Sequence, residues 1–355
     1  MLNFALVGCG KIAKRHSNLL GNDQIKGAKL VAVCDVVEGN AKSISEEFSV
    51  PYFLDMHEMM QSSRVKIDIV VVLTASGNHA KDVSALAKYG KDIVVEKPMA
   101  LSLSDADKMI EDCKNANIKL FVVKQNRFNV PIMKLHEALE KGRFGKLILG
   151  TVRIRWCRKQ EYYDANPWRG TWEMDGGVLT NQASHHIDLL EWMFGEAVSV
   201  FAYSTRALAN IEAEDTAVVS IKFKNGALGI VEATTATRPT DLEGSLSVMG
   251  EKGSVVIGGF AANKMETWNF SDVSSEDKMM LQKYSVNPPN DYGYGHKAYY
   301  DHIVDCIENN RQHLIDGHEG RKSIELINAI YESIETGKEF NLGSMPKHCK
   351  LGIKS

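Results

Sequence analysis

The stretch DIVVEKPMA, residues 92–100, sets a run of branched apolar residues directly against Glu96 and Lys97, with Pro98 next in line. A strand buried on both faces has no use for a carboxylate and an ammonium at its tip, so the pair marks a point where the chain meets something polar. Pro98 restricts the residue before it to extended backbone, which aims the Lys97 side chain. An ammonium so placed can hold an alcohol and stabilise the alkoxide character that grows as hydride leaves carbon. The plainer alternative is a surface salt bridge between two neighbours.

A second set of reactive residues lies in GGVLTNQASHHIDLLEWMFG, residues 176–195. Asn181, His185 and Asp188 follow one another at separations of four and three, which predicts one helical face. His185 and His186 are adjacent and must point in different directions. No third ligand stands at a sensible spacing, so no metal site is expected. A histidine titrating near neutrality is a natural acceptor for an alcohol proton.

The N-terminal GCGKIA runs Gly8-x-Gly10-x-x-Ala13 at the end of an apolar strand pattern. Gly8 permits a tight turn, Gly10 lets backbone approach a pyrophosphate, and Ala13 replaces the third glycine where helix and strand pack closely. Lys11 and Ile12 then open a helix whose amide N–H groups and partial positive charge face the phosphates. The second strand pattern ends in Asp35, at about the 20-residue separation expected for an acid on a ribose diol. Asp35 would repel a 2′-phosphate and no arginine follows it, so the expected cofactor is NAD rather than NADP.

These residues need a frame. Segments 3–8, 29–35, 67–74, 91–96 and 118–124 are short, rich in valine and isoleucine, and continuously apolar, which is the pattern of parallel strands covered on both faces. Helical spacing fills the gaps, with Ser102 or Ser104 as an N-cap and Gly90 as a stop. Strand and helix alternating this often predict a doubly wound α/β sheet over residues 1–125. Beyond it a helix near 129–141 leads into long strand patterns, with a hairpin at Asn225-Gly226 and a tight turn in GEKGS, residues 250–254. Residues 126–355 therefore read as a second α/β domain with a large, mostly antiparallel open sheet. Helices near 177–194, 294–309 and 318–336 are expected to cover one face, leaving the other for another subunit.

Composition narrows the partners. The chain has 355 residues, more than one core usually organises, and a net charge of -3 offers no basic field for nucleic acid or anionic lipid. The first residues enter a strand without a signal-peptide pattern and no apolar run would span a bilayer, so a cytoplasmic location is expected. Cys9, Cys34, Cys113, Cys157, Cys306 and Cys349 lack CxxC spacing and read as reduced thiols.

Taken together, GCGKIA, TASGNH (74–79), EKPMA, KQNRF (124–128), WRGTW (168–172) and GGVLTNQASHHIDLL resemble the Gfo/Idh/MocA oxidoreductases over essentially the whole chain. The resemblance implies a Rossmann domain followed by an α/β domain that makes dimer or tetramer contacts, with the tetramer favoured here. It implies a cofactor site of Gly8, Gly10, Lys11, Ile12, Asp35, Thr74, Asn78, His79, Glu96, Lys97, Gln125, Trp168 and Arg169. Catalysis falls to Lys97 and His185, which could exchange roles. The family usually carries an aspartate four residues before the histidine; Asn181 stands there, and it is expected to orient the substrate.

The asparagine form, with VVKQNRFN, NIEAEDTA and YGYGHKAYYDHIV, is similar to the branch that oxidises UDP-N-acetyl-2-amino-2-deoxy-D-glucuronate at C3 on the way to lipopolysaccharide and O-antigen sugars. That branch implies a 3-keto product passed to an aminotransferase, and 2-oxoglutarate as an optional hydride acceptor. Lys124, Arg127, Arg153, Arg155, Arg158 and Lys159 supply cations suited to a carboxylate and diphosphate, although Arg153 and Arg155 also fit solvent-facing charges on a strand. Tyr163, Tyr292, Tyr294 and His296 are the candidates for the uridine diphosphate. The open alternatives are a dehydrogenase or reductase acting on a free sugar or inositol, and an NAD-binding regulator without turnover.

Overall fold

The computed structural model describes residues 1–285 and 294–354. It divides into two compact units, Met1–Lys124 with His296–Ile324, and Gln125–Gly295 with Glu325–Ser355.

In the first unit the elements run β1 (Leu2–Val7), α1 (Ala13–Gly21), β2 (Ala28–Cys34), α2 (Glu38–Phe48), β3 (Tyr52–Phe53), α3 (Met56–Gln61), β4 (Ile69–Val72), α4 (His79–Ala87), β5 (Asp92–Val95), α5 (Leu103–Asn115) and β6 (Leu120–Val122). The strands are all parallel in the order β3-β2-β1-β4-β5-β6. Every residue of β4 and β6 is buried, as the unbroken apolar runs require. The α5 start is the expected one: the Ser102 hydroxyl accepts from the Asp105 N–H at 3.1 Å. The order reverses between β1 and β4, and the loops leaving these two strands open the crevice where ligands of such sheets sit. Strand β3 escapes sequence reading because two residues carry no period.

In the second unit come α6 (Val130–Glu140), β7 (Leu147–Arg155), α7 (Gln160–Asp164), α8 (Ser184–Phe194), β8 (Ala197–Thr205), β9 (Thr216–Phe223), β10 (Leu228–Thr234), β11 (Glu243–Gly250), β12 (Gly253–Gly258), β13 (Lys264–Phe270) and α9 (Asp277–Tyr284). Later in the chain stand α10 (Gly295–Glu308), which from His296 onward belongs to the first unit, α11 (Gly317–Thr336), divided between the units after Ile324, and β14 (Phe340–Asn341) of the second. The eight strands are ordered β13-β12-β11-β7-β10-β9-β8-β14, antiparallel except for the β7 and β10 pair. Asn225-Gly226 closes the β9–β10 hairpin with Gly226 at φ +87°, and Glu251-Lys252 turns β11 into β12. Buried and exposed residues alternate along β9, so the sheet is covered on one face only. α8 packs against β7 and β11.

Two expectations need correction. The helix expected near 294–309 as sheet cover is α10, and from His296 onward it clusters with the first unit. Its Tyr299, Tyr300 and Ile303 are fully buried, with Tyr300 edge-on to Phe4 of β1 at 5.6 Å. An amphipathic pattern reports that a helix needs cover, not which sheet supplies it. The domain division at 125 is therefore incomplete, because residues 296–324 return to the first unit.

Gly8 sits at φ +96°, and a Cβ on it would lie 2.6 Å from the Leu73 carbonyl carbon in the loop after β4. Replacement by alanine should destabilise the protein by at least about 1–3 kcal/mol in urea unfolding and abolish nucleotide binding in a fluorescence titration.

Candidate active site

The loops at the carboxyl edge of the first sheet carry most of the chemistry. Around Gly10 nothing stands within 4 Å of where a Cβ would be, so the backbone between β1 and α1 is open to a ligand. Asp35 ties this turn in place: Oδ2 accepts from the Cys9 N–H at 2.7 Å and Oδ1 from the Val37 N–H at 2.8 Å. A carboxylate retains lone pairs beyond these two bonds for a ribose diol. The open turn, the following helix and the anchored acid fit NAD, which would lie along Gly10, Lys11 and Ile12 and reach Asp35.

Beyond β4, Thr74 donates its hydroxyl to Asp82 at 2.7 Å, and its carbonyl lies 2.9 Å from His79 Nε2. His79 Nδ1 is 2.8 Å from the Pro98 carbonyl. The ring is buried, burial lowers its pKa, and both nitrogens face main-chain oxygens. His79 thus staples the loops after β4 and β5 together, and Asn78 beside it is exposed. Glu96 is likewise engaged within the first unit. Its side chain turns inward, with Oε1 3.0 Å from His16 Nε2 and Oε2 accepting from the Lys97 N–H at 2.9 Å. Lys97 is half-buried at the strand end. Lys124, expected as a substrate cation, is buried with Nζ 2.7 Å from the Ser323 hydroxyl. His296, expected near uridine diphosphate, is wholly buried in the first unit with Nε2 3.8 Å from Glu96 Oε1.

In the second unit His185 occupies the first turn of α8 and remains half-buried. His186 is fully buried edge-on to Trp156, and burial pushes its pKa down to about 4, so the adjacent pair separates into one accessible and one core imidazole. Gln125, expected at the cofactor, instead has its amide nitrogen 3.2 Å from His185 Nε2, and its Oε1 is buried without a hydrogen-bond partner among the described residues. Asn181 precedes α8 instead of sharing its face, because the helix begins only at Ser184; the Asn181 amide donates to Asp175 Oδ1 at 2.6 Å. Below this turn the buried Glu214 accepts from the Leu179 N–H and the Tyr331 hydroxyl, both at 3.0 Å, and burial raises its pKa to about 7. A Cβ on Gly177 would lie 2.2 Å from the Glu214 carbonyl oxygen, which is why the Gly176-Gly177 pair precedes the helix.

Several expected cations are already matched. Arg127, expected as a substrate cation, is buried and makes a bidentate ion pair with Asp188 at 2.7 and 2.8 Å, beside Trp192. Arg155 bonds Glu232 at 2.6 Å, and Arg153 lies 3.6 Å from the same carboxylate, which makes them a cross-strand charge ladder. Arg158 pairs with Asp241 at 2.9 Å, and Lys159 is exposed. Tyr163 is buried with its hydroxyl 2.9 Å from Thr235 Oγ1. Tyr294 is exposed and Tyr292 lies outside the described residues.

Arg169 donates to the Tyr162 hydroxyl, stacks over Tyr162 and Trp168, and stands on the wall of a cleft of about 400 Å³. Arg206, which sequence reading missed, stands on the same wall. The other omissions are His16 and Tyr300. His16 sits three residues beyond Ala13 on the buried face of α1, and a polar residue on an apolar helix face was the available signal.

A parallel sheet in this order, an open glycine turn and an anchored acid after β2 define a dinucleotide-binding protein. The comparisons then specify it. Residues 2–124 match the oxidoreductase family NAD-binding Rossmann fold and residues 136–342 match that family's C-terminal alpha/beta domain, so the chain belongs to the Gfo/Idh/MocA family. It is 31% identical over 272 residues to a myo-inositol 2-dehydrogenase of Thermotoga maritima, covering 75% of this chain and 77% of that protein. Among solved structures it is similar to the WlbA dehydrogenase of Bordetella pertussis, crystallised with NADH and UDP-GlcNAcA, at 38% identity and TM-score 0.88, covering 96% of this chain and 98% of that one. The WlbA dehydrogenase of Chromobacterium violaceum, with the same two ligands, gives 38% identity and TM-score 0.88 over 96% of both chains. This chain is an NAD-dependent dehydrogenase of the sugar and polyol class. No helix among the described residues is long and apolar enough to cross a membrane.

The Arg127 assignment is testable. Arg127→Met alone should cost about 3–5 kcal/mol in denaturant unfolding by stranding the Asp188 charge, whereas Arg127→Met with Asp188→Leu should recover most of that loss.

Proposed function

We propose that this chain oxidises the C3 hydroxyl of UDP-N-acetyl-2-amino-2-deoxy-D-glucuronate to the 3-keto sugar. The observation that carries this reading is the likeness to two dehydrogenases crystallised with UDP-GlcNAcA, at 38% identity across 96% of the chain, against 31% across 75% for the inositol enzyme.

NAD, when bound, supplies the hydride acceptor. Lys97 holds the alcohol oxygen and stabilises its growing negative charge. His185 takes the hydroxyl proton as the C3–H electron pair passes to the nicotinamide and the carbon–oxygen double bond forms. Asn181 orients the sugar ring. The exchange of roles between Lys97 and His185 stays open in this assignment. Arg169 and Arg206 on the 400 Å³ cleft supply positive charge suited to a diphosphate. We further assign the one-sided sheet to a homotetramer, or a dimer, and 2-oxoglutarate to reoxidation of the cofactor.

The test is mass spectrometry of the purified protein incubated with NAD and UDP-GlcNAcA, with and without 2-oxoglutarate, beside parallel incubations with myo-inositol. A UDP-sugar two mass units lighter supports the reading. Turnover of myo-inositol alone favours the inositol dehydrogenases represented by the Thermotoga relative. Lys97→Met and His185→Asn should each lower kcat by a factor of about 10²–10⁴, with NAD affinity nearly unchanged in a binding titration.

A further inference from the structure

The most concentrated buried polar group outside the residues assigned to chemistry is His16, Glu96, His296 and Tyr300, all in the first unit. Glu96 is 5% exposed and the other three are 0% exposed. Their separation in sequence is large, since α1, the end of β5 and α10 each contribute. The Tyr300 hydroxyl lies 2.6 Å from His16 Nδ1, and His16 Nε2 lies 3.0 Å from Glu96 Oε1. His296 packs edge-on to His16 at 5.4 Å and places Nε2 3.8 Å from the same oxygen. The second carboxylate oxygen accepts from the Lys97 N–H at 2.9 Å.

Burial on its own would push the Glu96 carboxyl up, but the facing His16 and His296 imidazoles outweigh it and hold the group well below its ordinary range. An ionised carboxylate kept in the interior at this cost has something to hold, because a well-packed apolar cluster would be as stable or more so. What it holds is the peptide bearing the Lys97 side chain. One peptide further along, the chain is tied down again, since the Pro98 carbonyl meets His79 Nδ1 at 2.8 Å. The backbone on either side of Lys97 is thus anchored, at its own N–H and at the Pro98 carbonyl, and this sets the point from which its side chain departs.

We infer that Glu96, held by His16, His296 and Tyr300, is a positioning residue that sets where the Lys97 ammonium stands. This rests on the assignment of Lys97 to the alcohol oxygen. An ammonium displaced by about 1 Å loses on the order of 10²-fold in rate, so the network controls turnover without touching the substrate. The same triangle of His16, Glu96 and His296 has the residue types of a metal site, their ligand atoms lying within 4.8 Å of one another. Both His16 nitrogens already face partners, the Tyr300 hydroxyl and Glu96, which favours the hydrogen-bonded network.

The experiment is a double-mutant cycle on the full chain, read in single-turnover rates with saturating NAD and UDP-GlcNAcA. Glu96→Gln keeps an acceptor for the Lys97 N–H and removes the charge; Tyr300→Phe keeps the shape and removes the hydroxyl behind His16. Each should slow the Lys97-bearing enzyme, Glu96→Gln by about ten-fold or more, with KM for NAD moving less than about three-fold. Neither should slow the Lys97→Met enzyme further. The downfield imidazole N–H proton resonance of the His16–Glu96 bond should vanish in Glu96→Gln. If Glu96→Gln and Tyr300→Phe slow both backgrounds equally, the network is only structural and the inference is overturned. If Lys97→Met abolishes turnover while both leave it intact, the inference also fails. Full activity in Lys97→Met would instead remove the assignment beneath it. Stoichiometric zinc in the purified protein, measured by plasma mass spectrometry, would replace the network with a coordination site and overturn it as well.

Discussion

A carboxylate taken out of water has to be met by donors on both oxygens, and at the end of β5 this requirement organises the first unit. Glu96 finds one donor in its own neighbour, the Lys97 N–H, and another in His16 from α1. His16 in turn needs Tyr300, which belongs to a helix formed some 200 residues later in the chain than Glu96. The return of residues 296–324 to the nucleotide-binding unit therefore has a chemical reason beside its apolar packing: α10 supplies partners for a charge that the sheet alone would leave unmatched.

The same logic of holding a reactive residue through its backbone or its neighbour recurs in the second unit. The Gln125 amide addresses His185 Nε2 at 3.2 Å, Asp175 holds Asn181 at 2.6 Å, and Glu214 accepts from the Leu179 N–H in the turn between Gly177 and α8. Buried polar groups of this kind are costly, and they are concentrated near the residues assigned to chemistry while the sheets behind them are apolar. Arg127 and Asp188 follow a different rule. Their buried bidentate pair beside Trp192 matches one charge with another inside the packing of α8.

Much of the fold was legible because its signals are local. Unbroken Val and Ile runs encode strands buried on both faces, Asn225-Gly226 encodes a hairpin, and Gly8, Gly10 and Asp35 encode a nucleotide turn whose parts lie within one βαβ unit. The misreadings concern pairing at long range. Arg127, Arg155 and Arg158 looked like ligand cations because nothing in the sequence tells that Asp188, Glu232 and Asp241 face them. Glu96, His79 and His296 carry internal partners that their place in the sequence does not announce. Asn181 was set on a helical face by its spacing from His185, a period that holds only after Ser184.

The central claim is that hydride leaves C3 of a nucleotide-linked amino-uronate for the nicotinamide ring. Deuterium at C3 of UDP-GlcNAcA tests it most directly, with the reduced cofactor recovered from a single turnover and weighed. The account predicts a reduced nicotinamide one mass unit heavier than normal and a ketone at C3 of the sugar. Unlabelled reduced cofactor, or deuterium retained in an oxidised sugar, would contradict it.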